Sequence, residues 1–592
     1  PDRRCTAASP GFDIRSNHLI GPLLTEYPLE LSLIKGHLQV SYGIVTAFLG
    51  IPYAEPPVGA LRFQKPIPHQ PWSHVLEASS FGNACHQPPL TGYPESDTWT
   101  PKMPQSEDCL SLNIWVPHPQ PNGTAPILVW IHGGGFFSGA ASLDIYDGRF
   151  LAATGKVIVA SMNYRLGALG FLSLPPAAPG NVGLWDQRLA LRWLWDNAAA
   201  FGGDPAHFIL AGQGAGAASV GFHLLSPGSR PLFTSAVLMS GAPNAPWAWI
   251  SLEEAKERGQ KLGQQLGCSN DNSTALVGCL QGQEPGEFPK HEFSILNRKK
   301  QLGLPFVPTP DGDFLPDTPP RLLQAEHGQP MPIVAGFTAN EGSYILLFAA
   351  PRFNLENASS IGWEEVLQMV RLIAPGAPEE AVQAVALRYS QDGEEQGEAR
   401  YRWVMEQILG DYFIVCPVAE MARREAKAGS PVYTYHFAHR TSGLSTPEWM
   451  GVPQGSEVPY LFGTLASVGG GNHTEAEEAL SRKVMHYANF SPRRNYIAVQ
   501  QALQLRLSPT RGRCGARTAS SMNAASGSGA TAASGGQKSE PQPFCSRMYF
   551  LWGQNFFEWP GLQNSTRSKS SSLGQSGAHG AAGGTQTGVQ NG

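Results

Sequence analysis

Residues 208–219 read FILAGQGAGAAS, an apolar run followed by a turn of small residues and the start of a helical pattern. The order predicts a buried strand that turns sharply into a helix. Gly212 and Gly216 flank the turn, and glycines there let the strand and the helix approach closely. Gly214 stands at the apex of the turn and has no side chain.

The neighbouring sequence indicates the sheet to which this strand belongs. Residues 126–132 and 156–161 are short apolar runs, each followed by a loop with Gly or Asn, as in buried parallel strands. Residues 186–201 repeat apolar side chains at helical spacing and end at a Gly-Gly-Asp-Pro cluster. Strands that alternate with helices predict an α/β fold with a large, mostly parallel central sheet flanked by helices.

The composition of the 592 residues narrows the class of protein. Hydrophobic residues make up 42% and charged residues 15%, as in globular proteins, and a net charge of −5 gives no nucleic-acid signal. The sequence contains no stretch of about eighteen apolar residues, so it predicts no transmembrane segment. The chain begins at Pro1 without an apolar leader, which is typical of a processed or truncated chain. We expect neither a metal ion nor a cofactor.

Cysteines and glycosylation motifs favour a secreted, extracellular protein, with association with the cell surface as an alternative. Eight cysteines are an even number, compatible with disulfide bonds in an oxidising compartment. Glycosylation acceptor motifs occur at Asn122, Asn272, Asn357, Asn472, Asn489 and Asn564.

The composition also predicts four regions. Residues 1–490 form the main domain, and 491–545 are a divergent, low-complexity segment. Residues 546–563 predict an aromatic helix that packs on the domain, and 564–592 predict a disordered tail. Segments made largely of Ser, Ala, Gly and Thr lack the apolar surface that offsets the entropy of ordering.

The turn at Gly214 has a second interpretation, as a dinucleotide-binding loop. Gly212, Gly214 and Ala217 fit that fingerprint between a strand and a helix. The fingerprint also needs an acidic residue about twenty positions further on, at the end of the next strand. Residues 231–241 contain none, so the dinucleotide interpretation is set aside.

A second glycine-rich loop, HGGGF at residues 132–136, would by itself be read as a plain glycine turn, but together with the turn at Gly214, in this order, it points to a hydrolase. Loops of this kind present backbone N–H groups to a developing oxyanion. With FLGIPYA at 48–54, SEDCLSLN at 106–113, GNVGL at 180–184 and PEWMG at 447–451, the chain resembles the cholinesterases of the type-B carboxylesterase family. The resemblance covers residues 45–487 and implies the α/β-hydrolase fold with a deep gorge lined by aromatic side chains.

The family's catalytic residues carry over by position. The resemblance places the nucleophilic serine on Gly214, the histidine on Gln454 and the retained acid on Glu341, which we expect to bond to Gln454. The oxyanion hole would be formed by Gly134, Gly135 and Ala215. Without a serine no acyl intermediate forms, and a glutamine amide is not a useful base near neutral pH.

One serine and three histidines elsewhere in the chain do not fit the role of the missing nucleophile or base. Ser219 lies five residues beyond Gly214, about 7.5 Å along the helix axis, too far to attack at the oxyanion hole. His436, His439 and His486 lie at positions that are typical of structural residues.

According to the resemblance, the binding gorge is better preserved than the catalytic residues. Trp99 matches the tryptophan that stacks on a quaternary ammonium group. Gln213 replaces an acidic residue beside the nucleophile, and Phe293 stands at a peripheral tryptophan position. Leu302 and Leu304 would make a roomier acyl pocket. The other gorge positions are Tyr344, Phe348, Phe136, Phe137, Tyr146 and Trp449.

The resemblance also implies disulfide bonds. It pairs Cys85 with Cys109, closing the loop that bears Trp99, and Cys268 with Cys279. The third bridge joins Cys416 to a C-terminal cysteine, for which Cys545 is the nearest substitute; Cys514 and Cys5 are alternatives.

Three functional hypotheses follow. The first is a secreted cholinesterase-like protein without esterase activity, which binds a choline-like or other cationic small ligand or a protein partner, as the neuroligins of this superfamily act in adhesion. The second is an active serine ester hydrolase acting on choline esters. The third is a retained fold without a selected role. Family members often form homodimers through C-terminal helices, a region that is altered here.

Overall fold

The computed structural model describes residues 44–71, 76–91, 95–118, 123–296, 303–325, 329–349, 361–392, 399–468 and 471–487. The predicted segment 491–545, aromatic helix 546–563 and tail 564–592 lie outside these residues.

Ten strands are described, and eight of them form one central sheet in the order β1-β2-β4-β3-β7-β8-β9-β10. Strand β2 is antiparallel to both neighbours, and the pairs from β4 to β10 are all parallel. The prediction of a large, mostly parallel sheet is therefore confirmed. The strands are β1 Ile44–Pro52, β2 Ser111–His118, β3 Ala125–Ile131, β4 Ile158–Met162, β5 Ser173–Leu174, β6 Ala178–Pro179, β7 Gly203–Gln213, β8 Ser235–Met239, β9 Ile333–Thr338 and β10 Val432–Phe437.

Helices flank the sheet and connect its strands. They are α1 Ser96–Trp99, α2 Arg149–Gly155, α3 Gly167–Phe171, α4 Val182–Asn197, α5 Ala215–Leu225, α6 Leu252–Gln265, α7 Ser273–Gln281, α8 Phe288–His291, α9 Pro319–Leu322, α10 Gly342–Ala349, α11 Trp363–Ile373, α12 Glu379–Asp392, α13 Ala399–Gly410, α14 Cys416–Lys427, α15 Val458–Phe462 and α16 Glu475–Tyr487. In the part of the chain that the structure describes, no helix has both the length and the apolarity to cross a membrane.

The central strands are apolar because both faces of the sheet are covered. Every residue of β4 and β8 is buried, and so are six of the seven residues of β3. This burial explains the near-continuous apolar runs, which are typical of parallel strands packed between helices. Strand β7 begins at Gly203, inside the predicted Gly-Pro break, because its first residue already pairs with Ala125 of β3.

The register of the sheet brings several loops to one edge. Ile131 at the end of β3 pairs with Gly212, and Gln213 at the end of β7 pairs with Met239 at the end of β8. Met239 in turn pairs with Gly336 of β9. Since ligands of open α/β sheets bind beyond the carboxyl ends of the strands, this edge is where a site is expected.

Candidate functional site

Gly214 forms the turn between β7 and α5. Its backbone angles are φ 56° and ψ −117°, in the left-handed region that glycine tolerates best. The Gly214 N–H donates to the Met239 carbonyl at 2.8 Å, and the Gly214 carbonyl accepts from Ala218 N–H at 2.9 Å. The sharp turn is thus held by its backbone, without a side chain at the apex.

The glycines beside the apex are required by close packing. A Cβ atom on Gly216 would clash with the Ile131 carbonyl oxygen, and one on Gly212 would lie 2.5 Å from the Gly216 backbone. A Cβ atom on Gly214 would meet nothing within 4 Å. Of these three positions, only the apex has room for a side chain, and there the sequence supplies none.

The glycine-rich loop after β3 lies against the same turn. A Cβ atom on Gly133 would lie 2.6 Å from Gln213 Oε1, so the loop and the end of β7 are in contact. Phe137 and Ser138 both donate their N–H groups to the Gly134 carbonyl, at 3.1 and 2.9 Å. These bonds fold the loop that contains Gly134 and Gly135, the predicted oxyanion donors, which directly follow Gly133.

The predicted acid, Glu341, lies three residues beyond β9 and is only 2% exposed. Its Oε1 accepts hydrogen bonds from Ser240 Oγ at 2.5 Å and from Thr338 N–H at 2.7 Å. Burial, followed by the nearby Glu457 carboxylate, raises the pKa of Glu341 to about 8. The carboxyl group therefore holds its proton at neutral pH.

Gln454, at the predicted histidine position, does not bond to Glu341, so that expectation is wrong. Its Nε2 donates instead to the Ser240 carbonyl at 3.0 Å. Ser240 lies between the two side chains, because its Oγ binds Glu341 while its carbonyl binds Gln454. The loops that carry the pair are joined as well, since Asn340 N–H donates to the Val452 carbonyl at 3.1 Å.

The three positions predicted for the triad therefore meet at the end of β8. Met239 accepts from the Gly214 N–H, and Ser240 contacts both Glu341 and Gln454. Sequence reasoning missed Ser240, and a single serine after an apolar strand gives no signal that could have revealed it. Ser240 itself has a positive φ of 56°, which is uncommon for a residue other than glycine.

Comparison with known proteins agrees with this geometry. The sequence profile of the carboxylesterase family matches residues 27–494. Acetylcholinesterase of Bungarus fasciatus is 48% identical over 469 residues, covering 78% of this chain and 76% of the relative. Acetylcholinesterase of Danio rerio is 44% identical over 484 residues, covering 76% of each chain. The chain belongs to the carboxylesterase family.

Membership of the carboxylesterase family confirms the α/β-hydrolase fold that the short motifs implied. The structure itself confirms two of the predicted disulfide bonds, Cys85–Cys109 and Cys268–Cys279. Cys416 is buried at the start of α14, and its predicted partner Cys545 lies outside the described residues.

Predicted gorge and site residues separate into three groups in this carboxylesterase-family fold. Trp99, Tyr344 and Gln454 line a cleft whose volume is about 30 Å³, enough for one or two water molecules. Trp99 packs over Gly455, where a Cβ atom would lie 2.9 Å from the indole ring. The cleft is lined by Glu95, Thr98, Trp99, Ile145, Tyr344, Thr441, Leu444, Pro453, Gln454, Gly455, Ser456, Pro459 and Val468.

Other predicted gorge aromatics belong to the core. Phe136 is fully buried with its ring 5.2 Å from that of Phe171, and Tyr146 is 1% exposed with its ring 5.4 Å from that of Trp130. These two contacts indicate packing in the core, which is the ordinary role of single aromatic residues.

The remaining predicted contacts lie around the glycine-rich loop or further away. Phe137 packs edge-on against Phe293, with ring centroids 4.9 Å apart, and Leu304 lies 3.2 Å from a Cβ placed on Gly135. Trp449 is half-buried, under the Arg402 guanidinium at 5.4 Å. Leu302 and the side chain of Phe348 lie outside what the structure describes.

The alternative catalytic groups are engaged elsewhere. Ser219 is buried within α5, where its Oγ accepts from Gln187 Nε2 at 3.1 Å. His439 pairs with Glu477 at 2.9 Å, and His436 packs against Phe337 with ring centroids 5.5 Å apart. His486 lies in α16.

The predicted modification sites are partly described. Asn272 and Asn472 are both exposed, and Asn272 Oδ1 caps α7 by accepting from Thr274 N–H at 2.9 Å. Asn122, Asn357, Asn489 and Asn564 lie outside the described residues, and all six acceptors stay predictions. Within the residues that the structure describes, there is no cluster of three or more His, Cys, Asp or Glu side chains that could hold a metal ion.

Proposed function

We propose that this member of the carboxylesterase family does not perform serine ester hydrolysis and acts by binding, outside the cell. The observation that carries the proposal is the apex of the turn, where a side chain would have room and Gly214 supplies none. Acyl transfer in this fold needs an oxygen nucleophile at that apex and an imidazole beside it. Gln454 at the second position offers an amide, which does not take up a proton near pH 7.

The size of the expected loss in turnover follows from known catalytic triads. Removing the nucleophile or its base lowers turnover by a factor of about 10⁶ and leaves the contribution of the oxyanion hole. The retained Gly134, Gly135 and Ala215 backbone would then hold a carbonyl group without attacking it. A bound ester would dissociate without being hydrolysed, as a ligand does from a binding protein.

An active ester hydrolase that acts on choline esters is the second candidate. It is favoured by one observation, the 48% and 44% identity to two proteins that are named acetylcholinesterase. This function would require a nucleophile and a base other than the residues at positions 214 and 454.

An extracellular location is proposed from the same observations as the binding role. The disulfides Cys85–Cys109 and Cys268–Cys279 fit an oxidising compartment, and exposed acceptor motifs occur at Asn272 and Asn472.

The decisive measurement uses the purified protein with acetylthiocholine and butyrylthiocholine, together with a fluorophosphonate probe that labels activated serines. We expect turnover no faster than the background reaction and no covalent label, because no serine stands at the apex. Stoichiometric labelling, accompanied by inhibitable hydrolysis of either ester, would establish the second candidate instead.

A restoration experiment tests whether the rest of the site is intact. The combined changes Gly214→Ser, Gln454→His and Gln213→Glu should recover measurable esterase activity, since the apex has space for a side chain. The matched control carries Gly214→Ala with the same two other changes and should stay inactive. A folded triple variant with no activity would mean that the glycine-rich loop and Glu341 are not positioned for catalysis.

A further inference from the structure

Two carboxyl groups are buried at the end of β8 without a cationic partner. Glu341 is 2% exposed and Glu457 is 4% exposed. In the described part of the chain, neither carboxyl forms an ion pair with a lysine, arginine or histidine. Position 454, where the resemblance predicts a histidine, holds a glutamine that cannot supply a positive charge.

The other titratable groups packed around this pair are acidic or phenolic. Strand β10 contributes Tyr435, while helix α13 and the turn after it contribute Glu406 and Asp411. Glu406 accepts a hydrogen bond from the N–H of Gly342, the residue after Glu341, at 3.2 Å. None of these groups can carry a positive charge, so a proton is the cation that the surroundings leave available.

The hydrogen bonds of the pair are unevenly distributed over its four carboxyl oxygens. Glu341 Oε1 accepts from Ser240 Oγ and from Thr338 N–H, and Glu457 Oε1 accepts from the Tyr435 hydroxyl at 3.0 Å. Within the residues that the structure describes, the Oε2 atoms of both acids are buried without a hydrogen-bond partner, and so is Thr338 Oγ1. Buried polar atoms are rarely left unpaired, so this cluster lacks a hydrogen.

Ser240 brings the two carboxyl groups together but cannot donate to both. Its Oγ is 2.5 Å from Glu341 Oε1 and 3.4 Å from Glu457 Oε1. A serine hydroxyl has one proton, and the shorter bond uses it. One further proton on Oε2 of Glu341, donated to Glu457, would satisfy both unpaired carboxyl oxygens, whereas its absence would leave two adjacent buried charges.

We propose that Glu341 and Glu457 form a proton-dependent latch, in which one proton carried by Glu341 and donated to Glu457 holds the loop of Gln454 against the end of the sheet. Glu457 lies three residues after Gln454 and directly precedes α15. When the latch opens, Glu341 releases this proton to water. Gln454 and Gly455 line the cleft, so opening of the latch would widen it. The inference goes beyond the proposed function, because the latch requires neither ester hydrolysis nor a bound ligand.

The latch should weaken as the pH rises. Burial, followed by the Glu457 carboxylate, raises the pKa of Glu341 from 4.5 to about 8, so the closed latch holds its proton more tightly than the open one. The latch is at full strength below pH 4.5 and weakens until the pH passes 8. Since one proton is involved, opening should become roughly tenfold more frequent for each pH unit between 5 and 8.

The test is amide hydrogen exchange at residues 454–458, measured from pH 5 to pH 9 and divided by the intrinsic exchange rate at each pH. Wild-type protein should show a roughly tenfold rise per pH unit up to pH 8 and a plateau above it. A rise of roughly a hundredfold per unit would mean that two protons are bound, and no rise would mean that none is. Either result in the wild type overturns the proposal, even if a variant fails to fold.

Glu341→Gln tests which group carries the proton. Its amide remains a hydrogen-bond donor at every pH, so the corrected exchange rate at 454–458 should no longer change with pH. Thermal unfolding checks that the variant retains the fold. A rise with pH as steep as in the wild type would contradict the proposal, because the proton would then belong to another residue.

The matched control is Glu425→Gln. Glu425 is also buried, and its Oε2 accepts from Ser430 Oγ at 3.0 Å. It has a cation nearby, because burial lowers the pKa of Arg230 and the Glu425 carboxylate raises it. This variant should keep the wild-type rise at residues 454–458, and loss of the rise would show that it is not specific to the latch. Ester hydrolysis by the wild type would remove the proposed function and leave the latch unaffected.

Discussion

At the scale of single residues, Glu341 is a buried acid whose predicted partner positions hold Gly214 and Gln454, neither of which can carry a charge. Glu341 accepts hydrogen bonds from Ser240 and Thr338, but position 454 holds no imidazole whose positive charge would stabilise the ionised carboxylate. Glu457 is also buried, and burial raises its pKa as well. Two carboxyl groups so near to each other cannot both ionise without a large cost.

The raised pKa of Glu341 predicts how stability depends on pH. Its ordinary pKa of 4.5 becomes about 8 in the folded protein, so the folded state holds the proton more tightly than the unfolded state. The resulting stability is fully present below pH 4.5 and is lost as the pH rises through 8. In urea unfolding between pH 5 and pH 9, Glu341→Gln should therefore show a shallower fall in the free energy of unfolding than the wild type.

Glu475→Gln is the control for this measurement, because Glu475 is exposed in α16. It should reproduce the wild-type slope. A Glu341→Gln variant that loses stability with pH as steeply as the wild type would show that Glu341 is ionised in the folded state.

At the scale of elements, the turn from β7 to α5 depends on two different kinds of glycine. Gly216 lies within α5 and has no space for a methyl group, because the Ile131 carbonyl approaches it directly. Gly214 has the space but also a φ of 56°. The first glycine fixes how close the helix lies to the sheet, and the second fixes the direction of the turn.

Alanine substitutions should separate these two roles. Gly216→Ala should lower the free energy of unfolding by several kcal/mol through backbone displacement, although alanine in a helix normally gains up to about 1 kcal/mol over glycine. Gly214→Ala should cost only about 1–2 kcal/mol, the cost of a left-handed backbone for a residue with a Cβ atom. Denaturant unfolding measures both, and an equal loss in the two variants would contradict the packing argument.

At the scale of the whole molecule, a buried ion pair ties the loop after β4 to helix α4. Arg165 donates to Asp186 through its backbone N–H, its Nε and its Nη2, at 3.0, 2.8 and 2.7 Å. The side chains of Arg165 and Asp186 are 4% and 0% exposed. Such a pair is costly to form, yet removing one partner leaves the other charge buried without compensation.

Asp186→Asn should therefore lower the free energy of unfolding by about 3–5 kcal/mol. The control is Asp196→Asn in the same helix, where the exposed pair with Arg192 should contribute less than about 1 kcal/mol. Urea unfolding of both variants checks the difference. A loss below about 1 kcal/mol in Asp186→Asn would mean that water replaces the missing charge at this site.

The sequence alone determined the features that are local or that follow from spacing along the chain. The turn at Gly214, the glycine-rich loop and the apolar strands are short patterns whose geometry depends on adjacent residues, and they were sufficient to predict the fold and the family. The disulfides Cys85–Cys109 and Cys268–Cys279 followed from the resemblance.

Only the tertiary structure decided which distant residues meet at the site. Ser240 joins Glu341 across 101 positions, and Glu95 meets Ser445 across 350. It also decided that Phe136 lies in the core while Trp99 lines a cleft, although both are aromatic residues near glycines. Such contacts depend on the register of the sheet and on how separate loops pack at its edge, and neither is encoded within a short stretch of sequence.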